Sequence, residues 1–182
     1  MNEPAAPARY DGMMIGLHWL IAALIVGLWI LGHWMEGLPK GDYRAQVFGL
    51  HKAIGVVVLA LVAARLAWRA LRPVPDLPGG LGPVERLAAK AGHALLYVLM
   101  VGLPVGGIVM SQSGGRPVSV FGLVLPTLVE KNEALHKAME TMHSAFGWVL
   151  AVLFVAHVAA ALRHQYRLKD GLLDRMRPLR GA

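Results

Sequence analysis

Four stretches of this chain, residues 14–34, 51–68, 92–110 and 141–162, are apolar almost throughout. Each is about long enough to cross the roughly 30 Å hydrocarbon core of a bilayer as an α-helix. In lipid every backbone N–H and C=O must find its partner inside the chain, so runs of this length are expected to be helical. Composition agrees, since 56% of the 182 residues are hydrophobic and 16% are charged, too few to cover a water-soluble domain of this size. The expected fold is an all-α membrane protein, a four-helix transmembrane bundle forming a single domain over residues 1–182. The N-terminal segment carries no short apolar core followed by a small-residue cleavage site, so no removable leader is expected.

Four crossings return both termini to one side, together with the connector between the second and third spans. That side collects twelve of the 18 Lys and Arg residues, among them Arg65, Arg69, Arg72, Arg163 and Arg167. The other side holds Lys40, Arg44, Lys52, Arg116, Lys131 and Lys137. The positive-inside rule therefore predicts cytoplasmic termini and a multi-pass membrane protein. The connector from Arg72 to Gly80 is rich in proline and glycine and reads as a turn. On the outside, 118–128 is apolar but too short to cross, and is expected to lie against the bundle or in the interface as a cap. Residues 130–140 read as a polar helical lead-in to the fourth span.

The chain has no cysteine, which removes disulfides, thiolate-held iron–sulfur clusters and covalently attached haem of the C-x-x-C-H kind. The basic balance of +7 sits on an apolar body and fits a membrane protein, with no nucleic acid expected as a partner. What remains for chemistry is eight histidines. Ionisable groups inside a membrane helix are costly and usually face the bundle interior for a reason. His143 and His157 are 14 residues apart on the fourth span. That spacing returns to within roughly 40° of one helix face and separates the two rings by about 21 Å along the axis. His18, at the start of the first span, lies at the inner level with His157, and His51, at the start of the second, lies at the outer level with His143. Two imidazole pairs stacked in one four-helix bundle are what two six-coordinate b-type haems require. The predicted iron ligands are thus His18 and His157 for an inner haem b, and His51 and His143 for an outer one.

Gly16, Gly55, Gly92 and Gly147 accompany these histidines and suit a flat macrocycle wedged against backbone, although small residues also serve plain helix packing. His33 and His93 read as accessory groups that hydrogen-bond a propionate or a quinone. His136 and His164 continue the fourth helix's stripe beyond the apolar core and are expected to be solvated. Arg44, Lys52 and Arg116 outside, and Arg65 and Arg69 inside, are candidates to neutralise haem propionates. The methionines show no matched-depth pairing and read as packing.

Several segments carry a resemblance: Gly-Leu-His-Trp-Leu at His18, Gly-Leu-His-Lys-Ala-Ile-Gly at His51, Gly-His-Ala-Leu-Leu-Tyr with Leu-Pro-Val-Gly-Gly in the third span, and Met-His-Ser-Ala-Phe-Gly at His143 followed by His157. On these the chain resembles the bacterial cytochrome b561 family over nearly its whole length. The resemblance implies two non-covalent haems b on His18, His51, His143 and His157. It also implies exchange of electrons with ubiquinone or ubiquinol and an outer donor, superoxide among those proposed. A small anionic donor suits the basic outer loop. The b-type subunits of nickel–iron hydrogenases and formate dehydrogenases are also similar, so a membrane-anchoring cytochrome subunit of a larger dehydrogenase or hydrogenase is an alternative. A histidine-lined proton or metal transporter is a further one, but it calls for acidic partners that the first three spans lack.

Overall fold

The computed structural model describes residues 9–72, 75 and 80–178 of the chain. Four long helices dominate it: α1 (Gly12–Glu36), α2 (Asp42–Leu71), α3 (Pro83–Ser113) and α4 (Glu133–Leu162), the last continued by a π-helical turn over Arg163–Leu168. All four are long and apolar enough to cross a membrane, as the sequence indicates. They run past the apolar stretches because capping chemistry, not loss of hydrophobicity, ends them. Asp11 caps α1 by accepting from the Met14 N–H at 3.0 Å. Gly82 and Pro83 open α3, with the Glu85 carboxylate taking the Gly82 N–H at 3.3 Å. Asn132 accepts from the Leu135 N–H at 3.0 Å and sets the start of α4 inside the expected lead-in.

The helices pack in chain order, α1 on α2, α2 on α3 and α3 on α4. The core shared by α1, α2 and α3 is small, centred on Ile21, Val58 and Val62, with Leu28, Tyr97 and Met100 around it. Large apolar side chains elsewhere, such as Val98, Val152 and Val155, point outward, where lipid replaces the protein interior as their solvent. α1 and α4 face each other through side chains: Trp29 meets Trp148 with ring centres 5.1 Å apart, and His33 meets Trp148 at the same separation. The first and last described segments meet at one end of the bundle, where the Trp19 indole donates to the Met176 carbonyl and the Tyr10 N–H to that of Arg175. Most of the connector after Arg72 lies outside the described residues.

The apolar stretch after α3 is not a helix but a short antiparallel hairpin, β1 (Ser119–Val120) and β2 (Leu123–Val124), pairing Ser119 with Val124 and Val120 with Leu123. Its base is held against the bundle: Val118 is 1% exposed, β1 packs on α2, and Lys52 donates to the Pro117 carbonyl at 2.9 Å. The buried Gln112 side chain clamps the segment that follows, giving a hydrogen bond to the Pro126 carbonyl and taking one from the Leu128 N–H, each 2.8 Å.

Candidate haem-binding sites

Each histidine pair expected from depth is brought together. At the outer level His51 of α2 and His143 of α4 have ring centres 6.3 Å apart, and at the inner level His18 of α1 and His157 of α4 are 6.2 Å apart. Two imidazoles sharing one metal ion, each nitrogen about 2 Å from it, have ring centres on the order of 6 Å apart. Among the described residues no group of three or more His, Cys, Asp or Glu side chains is arranged to hold a metal ion. Two nitrogens per level are too few for a bare ion but suit an iron whose other four ligands come from a porphyrin.

The outer level is shaped by glycine. A Cβ on Gly32 of α1 would stand 3.4 Å from Cε1 of His51, and one on Gly107 of α3 would stand 3.3 Å from Cε1 of His143. Each ring is therefore seated against backbone. Together His51 and His143 line a cavity with Gly55, Pro104, Gly107 and Val118. Pro104 interrupts the hydrogen-bond ladder of α3 at this point. His143 is steadied by a backbone hydrogen bond at Leu103, while the Nδ1 atom of His51 is buried and lacks a hydrogen-bond partner. A buried polar atom left this way calls for a group the polypeptide does not supply.

The inner level is shaped by charge. Arg65, 9% exposed, lies against His18 with Nη1 2.9 Å from Nδ1. Guanidinium is a donor only, so in this contact the His18 ring carries its own proton on Nε2. Presenting Nε2 to a metal requires that contact to be exchanged for an Nδ1–H. A third imidazole, His93 of α3, stands 5.4 Å from His157 and donates its Nδ1–H to the Ala89 carbonyl at 2.8 Å, which leaves Nε2 with the lone pair. That backbone anchor is the usual support of a metal-binding histidine.

The glycines singled out in the sequence open onto space: a Cβ at Gly16, Gly55, Gly92 or Gly147 meets nothing within 4 Å. Gly32 and Gly107, which do touch the rings, escape a reading of the sequence because each packs against a histidine on a different helix. His136 and His164 are not solvated. His136 is half-buried and hydrogen-bonded to the Met110 carbonyl at 2.8 Å, filling the space over Gly114. His164 is buried in the π-helical turn with Nδ1 on Asp170 Oδ2 at 2.5 Å. The causes are local: His136 packs on the last turn of α3, and the tail after α4 folds back to bring Asp170 onto His164. The basic candidates divide. Lys52 gives hydrogen bonds to Ser111 Oγ and to the Pro117 carbonyl, and Arg44 to the Leu38 carbonyl, so both brace outer turns, while Arg116 is exposed.

A membrane-spanning helical bundle with paired histidines at two depths defines a b-type cytochrome. The profile of the prokaryotic cytochrome b561 family matches residues 9–178, and the chain belongs to that family. It is 34% identical over 178 residues to "Cytochrome b561 homolog 2" of Escherichia coli (strain K12), covering 97% of this chain and 95% of the relative. It is 28% identical over 170 residues to "Probable superoxide oxidase CybB" of Yersinia pestis, covering 93% and 96%. "Cytochrome b561 homolog 1" of Escherichia coli (strain K12) is likewise 28% identical, over 94% of this chain and 98% of its own length. Membership makes this a multi-pass bacterial membrane cytochrome that binds b-type haem and serves electron transport.

Proposed function

We propose that this protein carries two haems b and moves electrons from a small anionic donor at the outer face to ubiquinone in the inner membrane. In this reading His18 and His157 hold the inner haem, His51 and His143 the outer one, and both termini are cytoplasmic. The observation that carries the reading is the spacing of the two imidazole pairs, each just over 6 Å between ring centres and set 14 residues apart along α4. Haem when bound supplies a one-electron couple, and the chain supplies ligation, burial and distance.

The residues around each level define what the protein itself does. His51 and His143 are oriented by backbone at Gly32 and Gly107 and shielded by Val118 and Pro104. Lys52 and the exposed Arg116 place positive charge at the outer face, which draws in anions. A relative named as a probable superoxide oxidase makes superoxide the favoured donor. Two superoxide ions then give up one electron each and leave as dioxygen, while one ubiquinone takes two electrons and two protons to become ubiquinol.

Single replacement of six histidines by alanine tests the assignment. His18→Ala, His51→Ala, His143→Ala and His157→Ala are each expected to lower bound haem from two per chain to one, while His33→Ala and His93→Ala keep both. The separation of His93 from His157 favours one rival, in which His93 rather than His18 completes the inner pair. Loss of a haem in His93→Ala with retention in His18→Ala would establish that rival, and a single haem in the unaltered protein would end the two-site reading.

A further inference from the structure

The hairpin between α3 and α4 plays no part in holding the histidines at the inner level and only its base shields the outer cavity, yet its tip is built at a conformational cost. Phe121 and Gly122 form a two-residue turn with φ of 50° and 89°. Such turns select Asn or Gly, and a bulky aromatic residue at positive φ is an outlier. Phe121 is moreover 85% exposed, with Leu123 at 74% and Val124 at 62% beside it. Strained backbone that displays an apolar cluster outward is not explained by packing within the chain.

The position of the hairpin identifies what covers it. Its base is held level with the outer histidine pair, because Pro117 accepts from Lys52, the residue after His51. His51 opens the apolar part of α2, so the hairpin starts at the outer edge of the hydrocarbon, below the polar first turns of α2 and α4. It is continuous with the lipid-facing sides of the helices, and Trp34 and Tyr43, 6.3 Å apart, mark the same outer boundary. Arg116, exposed at the base of the hairpin, suits a segment seated among phosphate headgroups.

We infer that the Phe121–Val124 tip is a membrane-interface anchor, its apolar side chains seated at the headgroup–acyl boundary of the outer leaflet. The anchor fixes the loop over the outer histidine cavity and is independent of the redox assignment.

The absence of native cysteine allows a direct test. Phe121→Cys, Leu123→Cys and Val124→Cys are each labelled with a nitroxide in the full chain, reconstituted in vesicles of phosphatidylethanolamine and phosphatidylglycerol. Collision with oxygen, which concentrates in lipid, is compared with collision with a water-soluble nickel chelate. Ile30→Cys serves as the lipid reference and Lys131→Cys as the aqueous one. All three hairpin positions are expected to show oxygen-to-nickel ratios several-fold above that at position 131 and in the direction of position 30. Nickel-dominated collisions equal to those at position 131 would overturn the proposal. So would exclusion of both reagents, which signals cover by a second copy or another protein.

Discussion

The two histidine levels are built from the same residue type on the same helix α4, yet they are made ready in opposite ways. At the outer level backbone closes on the rings, through Gly32 and Gly107, and the Nδ1 atom of His51 is buried without a hydrogen-bond partner. At the inner level a buried cation, Arg65, contacts one ring and a third imidazole, His93, crowds the other. The outer pair is seated closely against helix backbone. The inner pair sits in a polar cluster where tautomer and partner can be exchanged. One helix can thus support two sites of different character, because the neighbours rather than the ligands differ.

That contrast can be broken most forcefully at the glycines. Gly107→Leu and Gly32→Leu put side-chain volume where His143 and His51 now rest, and overpacking of this kind displaces rings instead of compressing them. Each is expected to weaken outer-haem retention by about 10- to 100-fold, the range seen when the support of a metal ligand is removed, with the inner haem retained. Haem-to-protein ratio with a redox titration resolving the two centres checks this, and equal loss at both levels would erase the distinction.

Arg65→Met sharpens it from the other side. Removing a positive charge near the inner centre stabilises the oxidised state, so its midpoint potential is expected to fall by about 50 mV while the outer potential stays fixed. Potentiometry with visible spectra reads both at once, and an unmoved inner potential would mean that Arg65 is not felt there.

The smallest expected effect lies outside the spans, at Asp11. Its hydrogen bond from the Met14 N–H, joined by the Trp68 indole, holds the carboxyl below its ordinary value. A depressed carboxylate contributes stability that is complete above the ordinary carboxylate range and is lost as pH falls through the lowered value. Asp11→Asn is expected to flatten slightly the acid limb of thermal stability against pH, without touching haem content at either level. Thermal unfolding midpoints of the two proteins across that acid range check it, and parallel curves would show that the cap does not couple to folding.

Much of this architecture is legible in the sequence, because membrane crossing imposes length and period on it. The depth match of His18 with His157 and of His51 with His143 follows from counting residues along helices of known direction, and the rings do meet in those pairs. What escaped depends on the rotation of one helix against another. Gly32 stands next to His33 in sequence but closes on His51, and Arg65 reads as a propionate partner but contacts His18. The burial of His136 and His164 was likewise hidden, since it arises from irregular backbone, a turn after α3 and a π-helical turn after α4, for which apolar periodicity carries no signal. The hairpin reads from composition only as apolar and short.

Because α4 contributes one histidine to each level, neither site exists while the ribosome is still producing the first three helices. In the two-haem reading both centres are completed together, when α4 packs with the other helices. Without α4 the other three helices would present only one imidazole of each proposed pair, so in the two-haem reading uptake of iron porphyrin at either depth would report that this helix has packed.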